Sequence, residues 1–156
     1  MYPRLVGSLS LYTADRHLAQ ELAQEALARL CRDWKKVRRM DNKEAWIFRV
    51  AINLANSTFR RRTIERRVRQ QIDLQPAQSN IGVVTDDVFS IKEALAQLSR
   101  RQRTVLILRF YEDLAFSDIA EAMSIPESTV KSLARRGLER LRKDPGILEA
   151  EGVLNA

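Results

Sequence analysis

The chain has one cysteine, Cys31, and one histidine, His17. A single thiol closes no internal disulfide, and one thiol with one imidazole sets no metal-ligand spacing. Glycine and proline are scarce, at 5 and 4 of 156 residues. That scarcity excludes collagen-like and low-complexity sequence and argues against a turn-rich all-β architecture. No run of about 18 apolar residues is present to cross a bilayer. The opening stretch, Met1–Thr13, lacks the charged start and cleavage site of a secretory signal. No GxxxxGK[ST] loop occurs, and the residue inventory offers little for a nucleophile–base pair or a metal-binding acid cluster. The expectation is a cytoplasmic protein that is not an enzyme, with no cofactor, no metal and no small-molecule substrate.

Positive charge is abundant. Lys and Arg number 27 against 20 Asp and Glu, for a net +7, and hydrophobic residues make up 45%. That is apolar enough for a packed core, and basic enough for an anionic polymer as partner. The charge is also unevenly placed. Residues 1–71 carry a net +9, residues 72–90 a net −3, residues 91–143 a net +4 and residues 144–156 a net −3. The middle acidic stretch contains Pro76, Ser79, Asn80 and Gly82 and shows no helical periodicity. The sequence therefore predicts two small helical domains, 1–71 and 88–143, joined by a linker at 72–87 and followed by a short acidic tail at 144–156. Bodies of about 50–70 residues bury little surface and are marginally stable alone.

Periodicity supports helices in both halves. Ala19, Leu22, Ala23, Ala26, Leu27 and Leu30 form an amphipathic stripe, with Thr13 or Asp15 available as its cap. Gln20, Glu21, Gln24 and Glu25 lie on the outward face. After a turn near Arg39–Asn42, capped by Asp41 or Asn42, a second stripe runs through Ile47, Val50, Ala51, Leu54, Ala55 and Thr58. Arg49, Asn53, Asn56 and Arg60 are spaced to align on the opposite face. Six arginines fall within residues 60–69. Cations suit a helix C-terminus, but their mutual repulsion makes so dense a cluster better explained by an anionic partner.

In the second half, Val88, Ile91, Leu95 and Leu98 mark one helix, and Ser99 with Gln102 forms a capping box for the next, through Val105, Leu106, Leu108, Phe110 and Tyr111. Asp113 is available to cap a third helix holding Phe116, Ile119, Ala120 and Met123. Ser124-Ile125-Pro126 breaks the pattern, with Pro126 suited to the first turn of a last helix that turns Val130, Ala134, Leu138 and Leu141 inward. Two short helices around a tight turn, the second rich in bases, suggest a helix-turn-helix. Its second helix could enter a major groove and offer Glu127, Ser128, Lys131, Ser132 and Arg135 to base edges.

With these residues in view, the sequence resembles a known family. Residues 95–142 are similar to region 4 of bacterial sigma-70-family factors, and residues 16–62 to region 2. Together they resemble the two-domain extracytoplasmic-function RNA polymerase sigma factors, most closely an actinobacterial-type subgroup. The resemblance implies an all-α fold and a role in promoter-specific transcription initiation. It implies RNA polymerase core as partner, through the β′ coiled coil and the β flap, with Glu21, Gln24 and Glu25 on the β′-facing surface. It implies promoter DNA as the second partner. The minus-ten element would be met by the loop Arg38–Lys43 and by Arg49, Asn53, Asn56, Arg60 and Arg61, with Trp46 mostly core. The minus-thirty-five element would be met by Ser128, Thr129, Lys131, Ser132, Arg135 and Arg136. Many relatives are held by an anti-sigma factor, so such a partner is compatible with the resemblance.

The chain departs from the family pattern in places. Ala115 stands where a serine cap is usual, which leaves Asp113 or Ser117 to substitute, and Ser124 stands where the turn glycine is usual. The rival reading is a helix-turn-helix regulator that acts without joining polymerase. The acid and glutamine face of residues 20–25 argues against it.

Overall fold

The computed structural model describes residues 1–71 and 86–144. The expected linker and acidic tail therefore lie almost wholly outside the described residues. Within them the chain is helical: α1 (Tyr2–Thr13), α2 (Arg16–Arg32), α3 (Trp34–Val37), α4 (Lys43–Gln71), α5 (Asp86–Ala96), α6 (Arg100–Leu106), a π-helical turn (Ile107–Tyr111), α7 (Phe116–Met123) and α8 (Glu127–Arg142).

The capping chemistry explains most boundaries. Asp15, one of the two expected caps, accepts from the Leu18 N–H at 3.0 Å. The Thr13 hydroxyl instead turns back to the Leu9 carbonyl at 2.8 Å. Asn42 opens α4 by accepting from the Ala45 N–H at 2.8 Å. The Ser99–Gln102 capping box forms in both directions. The expectation for α7 is corrected. Neither Asp113 nor Ser117 caps it; Ala115 occupies the N-cap position without a side-chain bond. Asp113 is left-handed at φ 56° and sits 3.8 Å from Arg109. Pro126 is the N-cap of α8, one residue earlier than expected.

Helix α1 carries no long apolar stripe. Its signal was a short one: Leu5, Leu9 and Tyr12, spaced to share a face, all essentially buried. Burying side chains of this size contributes roughly 1.5–3 kcal/mol each, which fixes a helix that would be marginal alone. It packs on α2 and α4 within its own half, and on α5 and the π-helical turn of the other.

Helix α4 is wider in its burial than one stripe. Besides Ile47, Ala51 and Ala55, it buries Ala45, Phe48 and Ile52, while Val50, Leu54 and Thr58 are only half-buried. A second face, marked by Glu44, Phe48, Asn56 and Phe59, meets α1: Arg4 pairs with Glu44, the Arg4 guanidinium lies over the Phe48 ring, and Tyr12 meets Asn56 and Phe59. In α5, Leu95 and Leu98 are buried as expected, but Ile91 is 47% exposed and leaves the stripe.

Buried residues of both halves, from Leu5 to Ala134, form one contiguous hydrophobic cluster. The polar contacts between the halves are specific. Arg103 donates across to the Tyr12 carbonyl at 2.8 Å and, within its own half, to the Leu95 carbonyl at 2.9 Å. Burial lowers its guanidinium from the ordinary value, as burial raises the Tyr12 phenol. Glu112, 6% exposed, accepts from Arg4 at 2.9 Å and from the Ser8 hydroxyl.

Candidate nucleic-acid and polymerase interface

The helix-turn-helix is built by α7 and α8. Ser124 reverses the chain between them in the left-handed region, at φ 54° and ψ 44°. A serine is strained there where a glycine would not be. Its N–H and that of Ile125 satisfy carbonyls at the end of α7, to Glu121 at 3.2 Å and to Ala120 at 3.1 Å. Ile119 and Val130 are fully buried and lock the two helices together. Gly137 lets α8 press on α6: a β-carbon there would lie 2.9 Å from Leu106 Cδ1. Sequence periodicity passed over this glycine because it counts side chains and not gaps.

The outward face of α8 carries the expected residues. Ser128, Lys131, Arg135 and Arg136 are exposed, and Thr129 and Ser132 are half-buried. Two of the cations are tied to acids on the same helix. Lys131 lies 3.0 Å from Glu127, and Arg135 lies 3.2 Å from Glu139. Arg136 has no ion-pair partner among the described residues. The acid at Glu127 also falls in the first turn, where it suits the helix dipole.

On α4, Arg49, Asn53, Arg60 and Arg61 are exposed along the expected face. Asn56 is set apart from them. It is half-buried, and its side-chain carbonyl accepts from the Tyr12 hydroxyl at 2.6 Å. Spacing alone could not separate it, because position 56 lies at the border of the exposed face and the face that meets α1. The arginines continue, all exposed, through Arg66, Arg67 and Arg69 to the end of the helix. Trp46 is half-buried against the core, as expected.

The short α3, packed on α2, adds two bases that the sequence reading did not single out, Lys35 and Lys36. Lys35, Lys36 and Arg39 surround an open hollow with Met40, and Trp34 stands 49% exposed next to them. The signal was legible: buried Val37 fixes the register, so its basic neighbours face solvent.

Glu21, Gln24 and Glu25 are exposed together on α2. Glu21 is 3.5 Å from His17, and Glu25 is 2.8 Å from Arg29. A shallow groove between α2 and α4 adjoins this surface and takes in Glu21, Glu25, Leu54, Arg61 and Glu65. No group of three or more His, Cys, Asp or Glu residues among the described ones is arranged to hold a metal ion. No described helix is long and apolar enough to cross a membrane.

Comparison with known proteins matches this arrangement. The family profile described as Sigma-70 region 2 matches residues 1–64, and that described as Sigma-70, region 4 matches residues 94–143. The chain is 31% identical over 126 residues to the RNA polymerase sigma-E factor of Streptomyces coelicolor, covering 81% of this chain and 71% of that one. It is 30% identical over 146 residues to the ECF RNA polymerase sigma factor SigX of Bacillus subtilis, covering 88% and 75%. Among solved structures it is similar to the sigma factor RpoE in complex with the anti-sigma factor NepR from Bartonella quintana. There the TM-score is 0.72 at 25% identity, over 91% of this chain and 89% of that one.

Proposed function

The chain belongs to the sigma-70 family, among the extracytoplasmic-function RNA polymerase sigma factors, and on that premise we propose how its own surfaces divide the work. As a sigma factor it binds RNA polymerase core and directs promoter-specific initiation of transcription. Within it, 1–71 acts as region 2 and 88–143 as region 4. The exposed Glu21, Gln24 and Glu25 form the contact with the polymerase β′ coiled coil. Arg49, Asn53, Arg60 and Arg61 engage the minus-ten element, with Asn56 behind them. Ser128, Thr129, Lys131, Ser132, Arg135 and Arg136 engage the minus-thirty-five element. An anti-sigma factor is a fitting further partner, since the similar RpoE is held by one.

The physics of each surface fits its task. Arginines that meet phosphate release counterions and supply affinity without choosing sequence. Side chains at the start of a recognition helix reach base edges in the major groove and supply choice. Unpaired bases held against region 2 offset part of the cost of unstacking, a few kcal/mol per base by analogy with base flipping. The observation that carries the reading is the pairing on one chain of an exposed acidic face on α2 with two separate basic helices, α4 and α8.

The test is a pull-down with polymerase core, followed by run-off transcription from a promoter library. Glu21→Lys combined with Gln24→Ala should weaken core binding about tenfold or more, as like charge replaces complementary charge, while duplex binding by α8 is unchanged. Unchanged core affinity would remove α2 from the interface. No core binding by the unaltered chain would leave the rival reading, a regulator that binds DNA alone.

A further inference from the structure

Helix α7 is short and weakly started. It has eight residues, and its N-cap, Ala115, offers no side-chain acceptor to the first turn. A helix of this length is marginal on its own, so contacts from elsewhere must fix where it begins. That start matters because α7 carries α8. Ile119 and Val130 are fully buried and join the two helices. The turn between them is fixed by the Ser124 and Ile125 N–H bonds to Glu121 and Ala120. The start of α7 therefore sets how α8 is presented to solvent.

Arg109 reaches that start from the π-helical turn, on neither helix of the pair. Its guanidinium donates to the Leu114 carbonyl at 3.0 Å, lies 5.0 Å from the centre of the Phe116 ring and sits 3.8 Å from the Asp113 carboxylate. Leu114 and Phe116 stand on either side of the N-cap residue. One planar group therefore holds the chain immediately before and after the point where α7 begins. Backbone bonds anchor the same segment to the π-helical turn, Glu112 N–H to the Ile107 carbonyl at 3.1 Å and Leu114 N–H to the Leu108 carbonyl at 3.0 Å. A π-helical turn admits one extra residue into the register. Here it leaves Leu108 buried, Phe110 and Tyr111 exposed, and Arg109 turned towards α7. Electrostatics alone would not put a cation there, because the N-terminal end of a helix is its positive pole. A carbonyl, a ring face and a carboxylate hold the guanidinium against that field. Its rigid fork meets carbonyl and ring together, whereas a lysine ammonium is a single point.

We propose that Arg109 is a positioning residue for minus-thirty-five recognition: by clamping Leu114 and Phe116 it does the work of the side-chain cap that α7 lacks, and through α7 it holds α8 at the angle from which Lys131 and Arg135 meet base edges. The proposal rests on the reading of α8 as the minus-thirty-five helix. Contacts that choose a base must be held to within about 0.5 Å. Phosphate contacts carry no sequence information, and long arginine side chains follow a small shift. A start of α7 that slips therefore costs choice among sites before it costs overall affinity.

The experiment measures, with the full chain in polymerase holoenzyme, the ratio of affinities for a matched minus-thirty-five element and for single-base variants of it, the minus-ten element being constant. Arg109→Met keeps the apolar stem and removes the carbonyl and ring contacts. It should lower that ratio by about tenfold, while affinity for polymerase core, assigned to α2, stays unchanged. Arg109→Lys keeps the charge and should lower the ratio nearly as far, which separates geometry from charge. Ala115→Ser supplies a side-chain cap where the backbone, at φ −65° and ψ 152°, already has the extended form a cap uses. Added to either variant, it should bring the ratio most of the way back to the wild-type value. A loss of stability alone would lower the fraction of competent protein and leave the ratio intact, because both sites are read on the same molecules. Circular dichroism shows that each variant folds, and Arg109→Lys decides if Arg109→Met does not. A folded variant that keeps the wild-type ratio overturns the positioning role. So does a lowered ratio that Ala115→Ser fails to raise. A wild type that does not distinguish the variant elements overturns the reading of α8 itself, and Arg109 then has nothing to position.

Discussion

The two helices proposed to meet DNA, α4 and α8, carry their positive charge differently. On α4 the exposed Arg49, Arg60 and Arg61 have no ion-pair partners among the described residues, and Arg66, Arg67 and Arg69 extend the same bare field. On α8 two cations are each held by an acid one turn away, Lys131 by Glu127 and Arg135 by Glu139. An unpaired arginine keeps its full attraction for phosphate and gives affinity that falls steeply with salt. A paired cation surrenders a little of that attraction, and its partner carboxylate repels phosphate that arrives in the wrong register. Under the proposed division of work, the difference suits α4 to holding a polyanion and α8 to choosing among sites. The pairs on α8 are themselves modest, roughly 0.2–0.5 kcal/mol each. Glutamate preceding lysine is the favoured order, so Glu127 holds Lys131 better than Glu139 holds Arg135.

The comparison breaks most visibly on α4. Arg60→Ala with Arg61→Ala should lower promoter affinity of the holoenzyme by roughly tenfold to a hundredfold, and reduce the salt slope by about two, without shifting preference in the minus-thirty-five element. Binding titrations over a salt series check this; an unchanged slope would mean that α4 does not touch phosphate.

On α8, Lys131→Ala or Arg135→Ala should cost about 1–3 kcal/mol at selected minus-thirty-five base pairs and relax choice there. Arg136→Ala should weaken every promoter alike and lower the salt slope by about one. Binding to single-base variants of the element separates these outcomes. If all three substitutions act uniformly, the contrast between the helices disappears and choice rests on region 2.

A smaller effect sharpens the contrast. Glu127→Gln releases Lys131 and removes the carboxylate from the groove. Non-specific duplex binding should rise several-fold while discrimination falls, by under about 1 kcal/mol, since exposed pairs contribute little. Competition against random duplex reads it. The smallest effect is one of stability. Ser124→Gly relieves the left-handed strain at φ 54°. It should raise the thermal midpoint by a few degrees, from about 0.5–1 kcal/mol, and leave base preference untouched.

Much of this was legible from short-range chemistry. The caps at Asp15, Asn42 and Ser99 could be read because a cap and its N–H lie three residues apart. The exposed face of α8 followed from the stripe opposite it. The cap at α7 was misjudged for a physical reason: Asp113 stands two residues before the N-cap position, which Ala115 holds, and its left-handed backbone leaves its side chain in solvent. Ile91 failed the stripe because periodicity says which residues share a face, but not whether a neighbour reaches that face. Asn56 failed in the opposite way, since its covering partner, Tyr12, comes from a helix 44 residues upstream in sequence.

By itself the sequence determined most of the helices, the two basic surfaces, the acidic face of α2 and the turn between α7 and α8. Each depends on interactions within a few turns of one chain segment, where spacing is enough. Only the tertiary structure decided that α1 lies between the halves and that Glu112 is buried against Arg4 and Ser8, partners 108 and 104 residues away. An apolar stripe demands a cover and a buried carboxylate demands donors, but neither states which distant segment supplies them. That choice is made when the helices pack, by the ridge that fits and the polar group that finds a partner before water is excluded.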